Sequence, residues 1–162
     1  MMKKLCFLAV IGALASSSAF AQQTCATAAP IVAPSTYSGD TTTGGHDIDA
    51  VGGLPLGGAP SAIYKFTAGA TVDGTLTVNA TFPWGLFVTT NCQATTSPPV
   101  AATASDAPTP TLNLTSGTFT AGTSYFVIIS GNPGQAAATN AGPFTLVTTP
   151  NLPVTLQNFS ID

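Results

Sequence analysis

The sequence contains no arginine and no glutamate, and its one histidine is His46. The basic side chains are Lys3, Lys4 and Lys65; the acids are Asp40, Asp47, Asp49, Asp73, Asp106 and Asp162. So few cations exclude nucleic acid as a partner, because holding a phosphate backbone takes several Lys or Arg contacts. The same shortage disfavours docking on anionic lipid headgroups. Hydrolytic chemistry needs a nucleophile, a base and a group to orient that base, and no G-x-S-x-G elbow is present to seat a Ser–His46–Asp triad. Glycosidases place two carboxylates across a cleft, whereas Asp47 and Asp49 stand two apart on one face of an extended segment. Zinc takes three or four His, Cys or acidic ligands, which this composition hardly supplies. We expect no enzymatic activity.

A long apolar run is also lacking. A permanent membrane anchor needs about 20 apolar residues, and the run from Leu5 to Ala15 is shorter. With Lys3 and Lys4 before it and Ala19-Phe20-Ala21 after it, residues 1–21 read as a cleaved signal peptide. Cys6 lies too early, and Cys25 follows the wrong residues, for a lipidated cysteine. The expected address is secreted, periplasmic or cell-surface. The remaining chain of about 140 residues suits one domain with one core.

Threonine, glycine and proline are abundant, and no stretch after Ala21 keeps a 3.6-residue period. Thr fits half-buried pleated surfaces, while Gly and Pro punctuate turns. The most apolar run is Ala121 to Gly131, AGTSYFVIISG, closed by Gly131-Asn132-Pro133-Gly134. Tyr125, Val127 and Ile129 fall on one face of an extended strand, Phe126 and Ile128 on the other. Both faces are apolar, which predicts a central strand covered on both sides.

Weaker strands are predicted around it. Ser61 to Thr67 places Tyr64 and Phe66 inward with Lys65 on a wet face. Gly74 to Thr81 alternates with Leu76, Val78 and Ala80 inward. Trp84 to Thr90 follows the break at Pro83. A short edge strand fits near Val100 to Thr103, and Thr111 to Thr115 alternates again. Pro143 to Thr149 turns Phe144 and Leu146 inward. Residues 22–37 read as an extended lead-in along a sheet edge, Val51 to Pro60 as a Gly/Pro loop unable to join a ladder, and residues 151–162 as a terminal strand or tail. About eight strands at this spacing predict an all-β, two-sheet antiparallel sandwich of jelly-roll type over residues 22–150.

Cys25 and Cys92 remain after processing, an even count that points to a disulfide in an exported chain; two separate buried thiols are the alternative. Asp40, Asp47 and Asp49 cluster in a Gly-rich stretch and, with loop carbonyls, would suit calcium. The other reading makes them turn formers and solubilising charges. Trp84 with Tyr37 or Tyr64 would make an aromatic platform for a sugar, against the reading of Trp84 as core packing.

Tyr64-Lys65-Phe66, then GTLTV at 74–78, LFVTTNC at 86–92, TAGTSYFVIISG at 120–131 and GPFTLV at 142–147 come in an order that resembles the bacterial pre-peptidase C-terminal domain. The resemblance spans about Gly39 to Val147. It implies a β-sandwich that accompanies secreted hydrolases or stands in cell-surface proteins, in some cases binding calcium or matrix polymers. Members often carry an acid just before the Tyr strand, where this chain has Ser61-Ala62. The expected function is a secreted binding or surface-interaction module with a protein or polysaccharide partner, accessory to an exported hydrolase. A self-associating structural subunit of the envelope or matrix is the alternative.

Overall fold

A computed structural model describes residues 24–46, 48–69, 74–93, 96–105, 111–114, 119–132 and 140–149. The signal-peptide and C-terminal-tail expectations lie outside these residues. The described residues form eleven β elements: β1 (Ala29–Pro30), β2 (Ser35–Asp40), β3 (Ala50–Val51), β4 (Leu54–Pro55), β5 (Ala62–Thr67), β6 (Gly74–Ala80), β7 (Trp84–Thr89), β8 (Ala101–Ser105), β9 (Thr111–Leu114), β10 (Ser124–Gly131) and β11 (Pro143–Thr148). A five-stranded sheet runs β1-β5-β10-β7-β8 and a four-stranded sheet runs β2-β11-β6-β9. Every pairing is antiparallel except β1 with β5. The fold is a two-sheet β-sandwich.

β10 is the middle strand of the larger sheet, flanked by β5 and β7. Its Tyr125, Val127 and Ile129 join Tyr64, Phe66, Trp84, Leu86 and Val88 in the core between the sheets, where they meet Leu76, Val78, Phe144 and Leu146 of the smaller sheet. The period-2 alternation of β6 and β11 puts their apolar side chains inward and leaves Thr75, Thr77, Asn79, Thr145 and Val147 half-buried on the outer face.

The outer face of the larger sheet is covered as well. Ile63, Phe87 and Ile128 point away from the main core and meet Ala28, Ile48, Val51, Leu56 and Cys92. A second, thinner apolar layer therefore lies over β5, β10 and β7. This corrects two expectations. The outward face of β5 is wet at Lys65 and Thr67 but not at Ile63, which is fully buried. The Gly/Pro stretch after Val51 does form a ladder: β3 and β4 pair with Ala50 opposite Pro55 and Val51 opposite Leu54. Gly52 and Gly53 take φ of 61° and 81°, the left-handed pair that a tight two-residue hairpin requires. Gly57 and Gly58 repeat it, and Ala59 N–H closes that turn on the Leu56 carbonyl at 3.0 Å.

The lead-in reaches both sheets. β1 lies on the edge beside β5, as expected, but β2 pairs with β11 along its whole length in the other sheet. Gly39 of β2 faces Phe144, whose ring occupies the space where a side chain at Gly39 would go. A glycine in a strand is weakened by lacking a side chain to pack, and a cross-strand aromatic ring makes good that loss.

Candidate binding face

The two outer faces of the sandwich differ. One lies under the apolar layer, whereas the outer face of the four-stranded sheet is bare among the described residues. Register places Ser38, Thr145 and Asn79 in one row across β2, β11 and β6, and Thr36, Val147 and Thr77 in the next. Strands stand about 4.8 Å apart and rows about 7 Å apart along them. The array is therefore a grid of hydroxyls and one amide, interrupted by the apolar side chain of Val147. An open groove of about 510 Å³ crosses these strands, with Ser38, Asn79, Thr81 and Thr145 supplying polar groups and Pro143 and Phe144 apolar surface. Asp40, opposite Pro143 at the end of β2, brings a carboxylate to that end of the sheet.

That carboxylate already has work in the fold. Asp40 Oδ1 accepts from the Thr42 N–H at 2.8 Å and from the Thr42 hydroxyl at 2.6 Å. It thereby caps a single 3-10 turn, Thr41–Thr43, as short polar side chains do where the first N–H groups lack partners. Asp49 is exposed just before β3, and its backbone carbonyl accepts from Leu56 N–H at 2.9 Å. Asp47 lies outside the described residues. No group of three or more acidic, imidazole or thiol side chains comes together among the described residues.

His46 is exposed, and its Nδ1 donates to the Gly58 carbonyl at 2.5 Å; the imidazole pins the second Gly-Gly turn. Trp84 and Tyr64 are fully buried and Tyr37 is 8% exposed, which overturns the aromatic platform. All three belong to the core between the sheets. Burial, and then the neighbouring Tyr37, push the Tyr64 hydroxyl up to about 12. Among the described residues its Oη has no hydrogen-bond partner, nor does Trp84 Nε1.

Cys25 and Cys92 form a disulfide with Cα atoms 5.8 Å apart. It ties the lead-in to the end of β7 and contributes to the apolar cover. A second hollow of about 420 Å³ opens around it, with half-buried Phe126 and the polar residues Thr24, Asn91 and Gln93 among its walls.

Sequence reasoning found the Thr alternation of β6 and β11 but not the groove. The groove depends on β2, whose Ser-Thr-Tyr-Ser-Gly-Asp carries one large apolar residue and gives no strand period.

No family model matches the chain, and no curated protein matches it. Among solved structures, the crystal structure of Aeromonas hydrophila PliG, a periplasmic lysozyme inhibitor of g-type lysozyme, is similar over 81% of this chain and 98% of its own. The identity is 13% and the TM-score 0.48. The functional reading rests on this chain's own residues.

Proposed function

We propose that the protein is an exported, non-enzymatic binding module that holds a neutral polysaccharide at the cell surface against the bare face of its four-stranded sheet. The groove across Ser38, Thr145 and Asn79 carries this reading. Its size falls within the range of about 300–1,000 Å³ usual for small-molecule sites. Its hydrogen-bonding groups are uncharged, which suits sugar hydroxyls and gives little hold on a phosphate or sulfate. The disulfide fits an oxidising compartment. The resemblance to pre-peptidase C-terminal domains belongs to the same proposal, with an exported hydrolase as the enzyme served. His46, the one imidazole, is engaged with the Gly58 carbonyl rather than held against a nucleophile.

The test is co-sedimentation of protein beginning at Gln22 with insoluble neutral glucans, chitin and mannan. We expect depletion from the supernatant on at least one of them. Asn79→Ala combined with Thr145→Ala should weaken it about tenfold, the worth of one or two neutral hydrogen bonds. No depletion on any polymer, or equal depletion by the double variant, would overturn the reading. Selective capture of a protein instead would move the module to a protein partner.

A further inference from the structure

We propose that the Cys25–Cys92 disulfide is a reducible latch: exchange with an external dithiol frees the lead-in and uncovers apolar surface on the larger sheet while the sandwich stays folded. The latch lies on the opposite face from the groove and works whether or not the groove binds saccharide. Most structural disulfides of exported proteins resist reduction, whereas exposed ones are labile and suit regulation. This one is open to solvent. The hollow of about 420 Å³ at the end of β7 has both cysteines among its walls. Cys25 is half-buried, and Cys92 is 4% exposed. The remaining walls carry hydroxyls, amides and the ring of Phe126, with no carboxylate among them to repel an incoming thiolate.

The exchange follows from that exposure. A thiolate of the dithiol attacks the more accessible sulfur, Cys25 Sγ. As the new sulfur–sulfur bond forms, the bond to Cys92 breaks, and Cys92 leaves as a thiolate. The second thiolate of the dithiol then attacks its own partner sulfur in the mixed disulfide, closing the reductant's internal disulfide and releasing Cys25. The dithiol supplies two electrons and two protons, and the protein gains two thiols.

Upstream of β1 little else holds the lead-in down. Among the described residues, the hydrogen bonds of residues 24–27 run between Thr24 and Thr27, within the segment itself. Ala28 adds one small side chain to the apolar cover. β1 is two residues long, and its Pro30 has no N–H to give the ladder. The first firm tie is the Ile31 N–H on the Lys65 carbonyl at 2.7 Å. Cys25 and Ala28 pack on the cluster that holds Ile63, Phe87, Phe126 and Ile128, so their departure uncovers part of it. Ala29 and Ile31 belong to the main core and lie beyond the freed stretch, so that core stays closed.

Four measurements on protein beginning at Gln22 decide it. Dithiothreitol in native buffer should reduce the bond within about tenfold of its rate in denaturant, read by trapping free thiols. Hydrogen exchange followed by mass spectrometry should show the amides of residues 24–28 exchanging about tenfold faster or more after reduction, with those of β10 unchanged. Fluorescence of an apolar dye should rise on reduction, as it does when hydrophobic surface is exposed. Cys25→Ser combined with Cys92→Ser should exchange like the reduced protein, ignore the reductant and keep one cooperative thermal transition. A bond that yields only in denaturant, unchanged exchange over residues 24–28 or unchanged dye fluorescence would overturn the proposal. So would lost protection throughout β10 or a double variant that does not fold, since either would make the disulfide a staple of the whole fold. Failure of the polysaccharide test would leave these results unchanged.

Discussion

The hydroxyl of Tyr125 accepts a hydrogen bond from the backbone N–H of Thr120 at 2.8 Å, tying the central strand to the turn that precedes it. Tyr37 does the same in the other sheet, five residues upstream. Its Oη accepts from Val32 N–H at 2.6 Å and donates to the Val32 carbonyl at 3.1 Å. Sandwich folds use a tyrosine bonded back to upstream backbone to fix a corner where the chain enters a strand. Here each sheet has one. The Tyr125 ring also packs edge-on to Phe119 at 4.7 Å and stacks on Phe66 at 5.4 Å, so the corner is held by apolar contact as well.

Tyr125→Phe keeps those ring contacts and removes one hydrogen bond. We expect a loss of about 1 kcal/mol. Tyr37→Phe removes a donor and an acceptor role together and should cost about twice as much. Urea unfolding with an unchanged slope checks both, since a changed slope would mean altered compactness rather than a lost bond. Equal, near-zero losses would show that neither corner matters.

The apolar layer over the larger sheet gives a sharper test. Ile128 and Ile129 are adjacent on β10, point to opposite faces, and are both fully buried. Ile129→Ala and Ile128→Ala should each cost about 2–5 kcal/mol, the range for truncating a buried aliphatic side chain. A bare outer face would make the Ile128 change nearly free. Chemical denaturation of the two variants side by side tells these apart.

That two-sided burial was legible in the sequence, because Tyr125, Val127 and Ile129 alternate with Phe126 and Ile128 and nothing in the run prefers water. What covers the second face was not. Ile48, Val51 and Leu56 are scattered among glycines and prolines, and the run reads as loop until the positive φ of Gly52 and Gly53 is seen to close a hairpin. The place of β2 was hidden for another reason. It pairs with β11 across more than a hundred residues, as the Ser35 N–H to Thr148 Oγ1 bond at a separation of 113 shows, and local pattern carries no record of so distant a partner. The candidate groove, which needs β2, β11 and β6 side by side, was hidden with it.

Calcium binding by Asp40, Asp47 and Asp49 remains our proposal for that loop, and Asp40's engagement with Thr42 chooses the variant. Replacing Asp40 would break the cap of the 3-10 turn as well as any metal contact, so Asp47→Asn with Asp49→Asn is the cleaner probe. A weak extracellular-type site has a dissociation constant of roughly 10⁻⁴–10⁻³ M. Calcium at a hundred times that constant stabilises a one-site protein by about 2.7 kcal/mol. We expect thermal unfolding of the wild type to rise with calcium against chelator, and the double variant to show no such rise. An identical response in both would assign the three aspartates to turn and solvent roles alone.

The last prediction concerns Tyr64, whose hydroxyl sits in the core without a hydrogen-bond partner among the described residues. Its ring lies 5.6 Å from Tyr37 and 6.4 Å from Phe144, contacts that phenylalanine would keep. A buried polar group left unsatisfied costs about 1–3 kcal/mol. Tyr64→Phe should therefore raise stability at pH 7 by about 1 kcal/mol, unlike Tyr125→Phe, which should lower it. The pH dependence follows from the same burial. The folded hydroxyl is pushed up to about 12 from an ordinary 10.0, first by burial and then by Tyr37, so above pH 10 the unfolded chain gives up a proton that the folded chain retains. The stability from this group is complete below pH 10 and is lost as pH rises towards 12, at about 1.4 kcal/mol for each pH unit in which only the unfolded form ionises. Urea unfolding of the wild type and of Tyr64→Phe at pH 9, 10 and 11 measures the difference. We expect the advantage of the phenylalanine variant to widen with pH. A constant difference would place the Tyr64 hydroxyl in contact with solvent.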